Sequence, residues 1–164
     1  MLQMKNLIIV RHAKSSWDAP VNDKDRSLAN RGIMDAHLVS SNIINYLPKT
    51  FIIWSSTAKR ASETAIIFTQ NMSCPVESIV FKDELYTFES RELEKIIKSC
   101  SNSYDCVILF GHNEAITDFV NKFGDVFVEN IPTSGFVSIN FETDAWENIH
   151  KGKIHKMVFP RDLK

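Results

Sequence analysis

The chain has 164 residues, 44% hydrophobic and 24% charged, which is enough for a single domain over residues 1–164 with a sizeable core. Its net charge of −1 gives no bulk attraction to nucleic acid or an anionic membrane. No apolar run reaches the roughly 20 residues of a membrane span, and no secretory signal is apparent. Cys74, Cys100 and Cys106 lack CxxC spacing, so reduced thiols in a cytoplasmic protein are expected.

Apolar runs and helical spacing alternate along the chain. The predicted strands cover residues 5–11, 51–54, 76–81, 106–110, 136–141 and 153–159. The predicted helices cover residues 30–47, 57–70, 90–100 and a stretch that ends at 123. Asn30 and Ser56 are expected to cap the first two helices, and Ile33 is expected on the buried stripe of the first. Gly32 predicts either tight packing or a later helix start.

This order of elements predicts an α/β fold. We expect a three-layer sandwich with a mostly parallel central sheet flanked by helices and an antiparallel edge formed by the last two strands. Ligands of such sheets bind beyond the carboxyl ends of the parallel strands. The residues that follow those strands are therefore the first place to look for a site.

Unusual polar residues follow three of the apolar strands. Arg11 and His12 follow the first, the segment from Ser55 to Arg60 follows the second, and His112 follows 106–110 after one glycine. Parallel strands would bring these arginines and histidines to one edge of the sheet. Such a donor set suits a dianion such as phosphate, because a guanidinium binds phosphate oxygens in pairs. No P-loop or GxGxxG pattern is present, so a nucleotide cradle is not indicated.

The motifs at these strand ends resemble the histidine phosphatase (phosphoglycerate mutase-like) superfamily. The matching segments are Ile9-Val10-Arg11-His12-Ala13, Ser55 to Ala65, Glu84-Leu85-Tyr86 and Phe110-Gly111-His112-Asn113, together with the stretch from Asp25 to Gly32. The Arg-His-Ala-Lys-Ser opening, the short chain and Thr133-Ser134-Gly135-Phe136 are most similar to the SixA-type phosphohistidine phosphatase branch. The resemblance covers nearly the whole chain.

The resemblance implies a covalent mechanism. His12 would be the nucleophile that takes the phosphoryl group on a ring nitrogen. Arg11, Arg60 and His112 would hold the phosphoryl oxygens and stabilise the transition state, with His112 working best as imidazolium. Glu84 would be the proton donor to the leaving group and then the base for water.

Other residues near these motifs carry weaker expectations. Ser15 and Trp17 are substrate-binding candidates, and Trp17 would cover the pocket mouth, bind a partner or anchor its loop. Many family members have Asn at the position of Asp18, which is expected to point away from an anion or to pair with Arg26 or Lys14. His37, His150 and His155 are expected on the surface. A metal held by His12, His112 and Glu84 would be opposed by the adjacent arginines, so no metal or other cofactor is expected.

The predicted function is hydrolysis of phosphohistidine on a protein. Few residues separate Phe81 from the helix at Ser90, where larger family members insert a lid, so the site should admit a protein surface. An imidazole leaving group, with a pKa of about 6.5, demands little of a proton donor. The alternatives are a general phosphomonoesterase for small phosphoesters and a non-catalytic phosphoprotein-binding module, although binding alone needs no His12. The expected partner is a phosphorylated protein, without nucleic acid or membrane, and the expected state is a monomer or weak dimer.

Overall fold

The apolar runs of the sequence form one six-stranded sheet in the computed structural model, which describes residues 3–164. The strands are β1 Lys5–Arg11, β2 Ile52–Ser56, β3 Ile79–Lys82, β4 Cys106–Gly111, β5 Phe136–Phe141 and β6 Lys153–Val158. Their spatial order is β3-β2-β4-β1-β5-β6. The first four in that order are parallel to one another, and β5 and β6 add an antiparallel edge. The predicted α/β architecture is confirmed.

Helices cover both faces of this sheet. They are α1 Asn30–Ser40, α2 Lys59–Asn71, α3 Ser90–Lys98 and α4 Ala115–Phe123. Alternate residues of β1 face opposite sides: Leu7 and Ile9 belong to the apolar core that includes α3 and α4, whereas Ile8 and Val10 belong to the core that includes α1 and α2. Because both faces of β1 are covered, its run of aliphatic residues is fully buried.

The predicted bounds of the first helix are wrong. The helix α1 ends at Ser40, and residues 44–46 form a separate 3₁₀ turn before Leu47. The side chain of Asn42 donates to the Leu38 carbonyl at 2.8 Å, which satisfies a carbonyl group at the helix end. At the other end, Ala29 precedes the helix and Asn30 lies inside its first turn, so Asn30 is not the cap.

Two details of α1 depend on its packing. Ile33 is 39% exposed and does not belong to the buried stripe. The tight packing predicted at Gly32 is present, since a Cβ there would lie 2.1 Å from the Lys14 carbonyl oxygen.

The elements around β2 and β3 also differ from the prediction. Ser56 is the last residue of β2 and does not cap α2, which follows Ala58. Residues 76–78 form a 3₁₀ turn instead of a strand, because the Ser78 N–H donates to the Pro75 carbonyl at 3.0 Å. The strand β3 is therefore short and begins at Ile79.

Three other expectations concern reactive or titratable side chains. Cys74, Cys100 and Cys106 are free thiols, as predicted. The three remaining histidines are exposed, also as predicted: His37, His150 and His155. Within residues 3–164, no helix is long and apolar enough to cross a membrane.

Candidate active site

The carboxyl ends of β1, β2 and β4 meet at one edge of the sheet. Arg11 is paired in register with Gly111 across β1 and β4, and Ser55 is paired with Phe110 across β2 and β4. The next residues along the chain, His12, Ser56 and His112, therefore lie side by side at this edge. Parallel pairing produces this juxtaposition of residues that are distant in sequence.

His12 is a buried imidazole with a defined tautomer. Its Nδ1 lies 2.7 Å from the Ala13 carbonyl oxygen. Since a carbonyl can only accept, Nδ1 carries the proton and Nε2 keeps a lone pair. Arg60 Nε donates to that Nε2 at 3.3 Å. Burial lowers the pKa of His12 to about 4, with the charges of Arg60 and Arg11 acting in the same direction, so the ring is neutral at pH 7.

His112 lies beside His12, with ring centroids 5.2 Å apart. Its Nε2 is 2.8 Å from Ser56 Oγ, whereas its buried Nδ1 has no hydrogen-bond partner in the described chain. Burial lowers the pKa of His112 to about 3, helped by the neighbouring His12 and Arg60. The imidazolium expected for His112 is thus not the form that the free site favours. A bound dianion would oppose this shift and favour protonation.

Arg60 is held by a carboxylate that the sequence analysis did not identify. Its Nη1 donates to the Asp23 carbonyl at 2.7 Å, and its Nη2 donates to Asp23 Oδ2 at 3.0 Å. The Tyr86 hydroxyl donates to the same Oδ2 at 2.5 Å, and Arg26 Nη1 lies 3.6 Å from Oδ1. The hydrogen bond from Tyr86, aided by Arg60, lowers the pKa of Asp23 against the opposing effect of burial. Asp23 is therefore an ionised anchor for two arginines.

A strained backbone corner supports Arg11 and His12. Ser134 has a φ of 62°, and its N–H donates to the carbonyls of Arg11 at 3.0 Å and His12 at 3.2 Å. Arg11 Nη1 donates to the Ile131 carbonyl at 2.8 Å. Non-glycine residues in this region of φ are uncommon and cost about 1–3 kcal/mol, so the surrounding structure must enforce this conformation.

Unpartnered polar atoms cluster around this edge. In residues 3–164, the buried side-chain polar atoms without a hydrogen-bond partner are Arg11 Nε, Arg26 Nε, His112 Nδ1 and Ser134 Oγ. Leaving such an atom unpaired costs about 1–3 kcal/mol, and native structures contain few of them. All four belong to the cluster of residues around His12 and Asp23, which consists of Arg11, His12, Asp23, Arg26, Ser56, Arg60, Tyr86, His112 and Ser134. Since each can donate a hydrogen, the group fits an oxyanion, whereas the guanidinium charges oppose a cation.

The two remaining substrate-binding candidates both contact Arg26. Ser15 is buried, and its Oγ accepts a hydrogen bond from Arg26 Nη2. Trp17 is 78% exposed, and its ring centroid lies 3.4 Å from the guanidinium carbon of Arg26. From sequence, Arg26 lies in the matching segment from Asp25 to Gly32 and is named as a possible partner of Asp18. Neither observation predicted that it contacts the site.

Within residues 3–164, the carboxylates of Glu84 and Asp18 make no hydrogen bond or ion pair with this cluster. Glu84 lies exposed in a 3₁₀ turn over Asp83–Leu85, and within the described chain its carboxylate makes no hydrogen bond or ion pair. Asp18 is also exposed, and its backbone N–H donates to Ser16 Oγ at 3.0 Å. The predicted alternative in which Asp18 pairs with Arg26 or Lys14 is wrong. Arg26 pairs instead with Asp23, because the turn at 23–25 brings that carboxylate back over the strand end.

An α/β sheet with imidazoles and guanidinium groups at and just beyond its parallel strand tips forms a candidate oxyanion site. Comparison with known proteins shows which class the chain resembles. The family model of the histidine phosphatase superfamily (branch 1) matches residues 7–85. That range contains Arg11, His12 and Arg60.

One relative and two solved structures are similar to the chain over nearly its whole length. An uncharacterised protein of Mycobacterium leprae (strain TN) is 26% identical over 163 residues, covering 92% of this chain and 98% of its own. The fold is similar to a Nakamurella multipartitia protein assigned as a SixA phosphohistidine phosphatase, with a TM-score of 0.81, 18% identity and 96% of both chains covered. It is equally similar to the protein histidine phosphatase SixA complexed with tungstate, with a TM-score of 0.81, 18% identity and 97% and 99% of the two chains covered. The chain is thus similar to the histidine phosphatase superfamily over residues 7–85, and it has the fold of these SixA structures.

Proposed function

We propose that the protein hydrolyses phosphohistidine on a protein substrate through a phosphorylated His12, without a metal ion. The observation that carries this proposal is the state of His12. It is neutral, its Nε2 lone pair is fixed by the hydrogen bond from Nδ1 to Ala13, and unpartnered donors surround it. A fixed lone pair beside positive charge is what a nucleophile toward a phosphoryl group requires.

In the first step, His12 Nε2 forms a bond to phosphorus while the bond from phosphorus to the substrate's ring nitrogen breaks. The electron pair of that broken bond leaves with the substrate ring, which already carries a proton on its other nitrogen and so departs as neutral imidazole. Arg11, Arg60 and Arg26 hold the phosphoryl oxygens, and His112 Nδ1 donates to one of them. Fixed donors stabilise the transition state in this way without reorganising during the reaction.

In the second step, water attacks the phosphorus of phosphorylated His12. The bond from Nε2 to phosphorus breaks, its electron pair returns to Nε2, and inorganic phosphate leaves with the water oxygen. A water proton passes to a phosphate oxygen or to solvent. Nδ1 keeps its hydrogen bond to Ala13 throughout, so each turnover restores the starting tautomer.

The carboxylates near the site support an imidazole leaving group. Asp23 is bound to Arg60 and Tyr86 with a lowered pKa, so it is a poor proton donor at neutral pH. Within the described chain, Glu84 makes no hydrogen bond or ion pair with the cluster. A site without a strong acid favours a leaving group that departs readily, such as the neutral imidazole of a protonated phosphohistidine ring, whose conjugate acid has a pKa of about 6.5. An aliphatic alkoxide is far more basic and would leave slowly.

The access to the site supports a protein-borne phosphoryl group. Between β3 and α3, the chain forms only the short turn at Asp83–Leu85 and a few further residues. Phe88, in this connection, is 49% exposed beside His112, and Trp17 is exposed on the loop after β1. No inserted helix covers His12 in the described residues. The free thiols support action in a reducing compartment such as the cytoplasm.

Rapid-quench labelling tests this proposal. The enzyme is mixed with a ³²P-phosphohistidine protein, and the label is expected on the enzyme in a base-stable, acid-labile form that disappears in His12→Ala. A panel of a phosphohistidine protein, a small phosphoramidate, an aryl phosphate and an alkyl phosphate ranks the leaving groups. Fast turnover of the alkyl phosphate without turnover of the phosphohistidine protein would instead establish a general phosphomonoesterase. Tight binding without turnover, retained by His12→Ala, would establish a binding module.

A further inference from the structure

Trp17 stacks on an arginine although most of its side chain is exposed. One face of the indole lies over the guanidinium of Arg26, 3.4 Å from ring centroid to guanidinium carbon. Trp17 is nevertheless 78% exposed, whereas Arg26 is only 7% exposed. An aromatic ring that remains so exposed gains little from burial. Covering Arg26 is the main contact that the structure gives this side chain.

The arginine beneath Trp17 is held at one end and free at the other. Its Nη2 donates to Ser15 Oγ, and its Nη1 lies 3.6 Å from Asp23 Oδ1. Its Nε is buried without a partner in the described chain. Asp23 also binds Arg60, which donates to His12 Nε2. Asp23 thus bridges Arg26 and Arg60, and Arg60 is the arginine that contacts His12.

We propose that Trp17 is a positioning residue for the phosphatase reaction. Its ring holds the guanidinium of Arg26 flat and shielded from water beside Asp23, so that the free Nε is oriented and desolvated when an oxyanion arrives. A guanidinium stacks well because it is planar and weakly hydrated, and its hydrogen bonds strengthen when water is excluded. The inference rests on the proposed oxyanion site and is independent of which phosphoryl substrate the enzyme uses.

The stacking also makes Trp17 a reporter of the anion. The other tryptophans, Trp54 and Trp146, are 6% and 0% exposed, so Trp17 is the exposed member of the three. An oxyanion that draws Arg26 toward itself changes the environment of the Trp17 ring. Tungstate added to the wild-type enzyme is therefore expected to change the tryptophan emission, and Trp17→Phe is expected to abolish that change.

The experiment measures tungstate affinity by calorimetry, which does not depend on fluorescence. Trp17→Ala is expected to weaken binding about 3- to 30-fold, the range of a partly desolvated cation–π contact. Trp17→Phe keeps an aromatic face and should lose less. Phe127→Ala is the matched control, because Phe127 is 79% exposed and no arginine stacks on its ring within residues 3–164. It is expected to bind like wild type.

A double-mutant cycle with Arg26→Gln separates positioning from a general structural effect. If Trp17 acts through Arg26, Trp17→Ala causes no further loss of tungstate affinity when Arg26 is already Gln. A loss below two-fold in Trp17→Ala, or an equal loss in both backgrounds, overturns the inference. If Trp17→Ala does not fold, the same cycle with Trp17→Phe and the emission change of the wild type decide the question. Normal tungstate results with no phosphohistidine turnover would reject the proposed substrate and leave Trp17 as a positioning residue.

Discussion

Replacing Ser56 with Ala isolates the contact that orients His112. Ser56 is fully buried, and its Oγ bonds to the Ala58 N–H at 3.1 Å and to His112 Nε2 at 2.8 Å. The substitution leaves both nitrogen atoms without a partner in a dry region. Each unpaired buried group costs about 1–3 kcal/mol, so we expect a loss of about 2–4 kcal/mol in the free energy of unfolding. For a chain of this size, that lowers the melting temperature by about 4–16 °C.

The same substitution should also lower the catalytic efficiency of the folded enzyme. His112 is free to rotate once Nε2 has no partner, and Nδ1 is then no longer fixed toward the phosphoryl oxygens. We expect kcat/KM to fall about 10- to 100-fold, equivalent to roughly 1.4–2.8 kcal/mol of transition-state stabilisation. The assay is steady-state turnover of a small phosphoramidate at a temperature well below the melting temperature of the variant.

Ser55→Ala provides the matched control. Ser55 is also fully buried, and its Oγ donates to the Ser56 carbonyl at 2.9 Å, but it makes no hydrogen bond to His112. It should cost about 1 kcal/mol in stability and leave kcat/KM nearly unchanged. Equal kcat/KM values for the two variants would refute the reasoning, because the orientation of His112 would then not depend on Ser56.

Two further predictions concern stability. Acidification should destabilise the protein. In the folded chain, the pKa values of His12 and His112 are about 4 and about 3. Between pH 6.5 and about 4, the unfolded chain therefore binds protons at both rings that the folded chain does not bind. The stabilisation that depends on the two neutral rings is complete above pH 6.5 and falls by about 3 kcal/mol or more per ring as the pH drops. Melting temperatures from pH 7 to 4.5 should fall less steeply in His12→Gln than in the exposed-site control His37→Gln. Parallel curves for the two variants would contradict this prediction. Gly32→Ala should lower the free energy of unfolding by more than about 3 kcal/mol, because its Cβ would lie 2.1 Å from a backbone carbonyl oxygen, whereas a Cβ at Gly111 meets ordinary contacts at 3.7 Å. Urea unfolding of Gly32→Ala and Gly111→Ala measures the difference. Similar unfolding midpoints would contradict the predicted clash.

The neutral histidines connect binding with protonation. In the free site, burial and neighbouring positive charge keep His12 and His112 uncharged. A phosphoryl dianion reverses the electrostatic balance around His112, whose Nδ1 has no other partner. Oxyanion binding should therefore be accompanied by proton uptake, with His12 remaining the nucleophile because its Nδ1 proton is held by Ala13. The His112 imidazolium expected from sequence should therefore form when the oxyanion binds.

The strand pattern could be predicted from sequence because burial on both faces leaves a continuous aliphatic run, as in β1 and β4. The helix end after Ser40 could not, because Ile43 and Leu47 continue the helical spacing although a turn and a 3₁₀ segment carry them. Ser56 satisfied the pattern of a helix cap, yet it ends a strand and bonds to His112. In each of these cases, one local pattern is compatible with two backbone paths, and long-range contacts select between them.

The sequence by itself determined the parallel α/β sheet, the strand tips that carry Arg11, His12 and His112, and the segment after β2 that leads to Arg60. This was possible because an apolar run shows which residues are buried, and the polar residues that follow it show where the strand ends. Only the tertiary structure decided which carboxylate anchors the arginines. Asp18, Asp23 and Glu84 are all acidic residues in loops, and hydrophobic periodicity does not position loop residues. The turn at 23–25 places Asp23 against Arg60 and Arg26, while Asp18 and Glu84 remain in solvent. Electrostatic pairing acts over a few ångströms, so the fold of the loop, more than residue type, selects the partner.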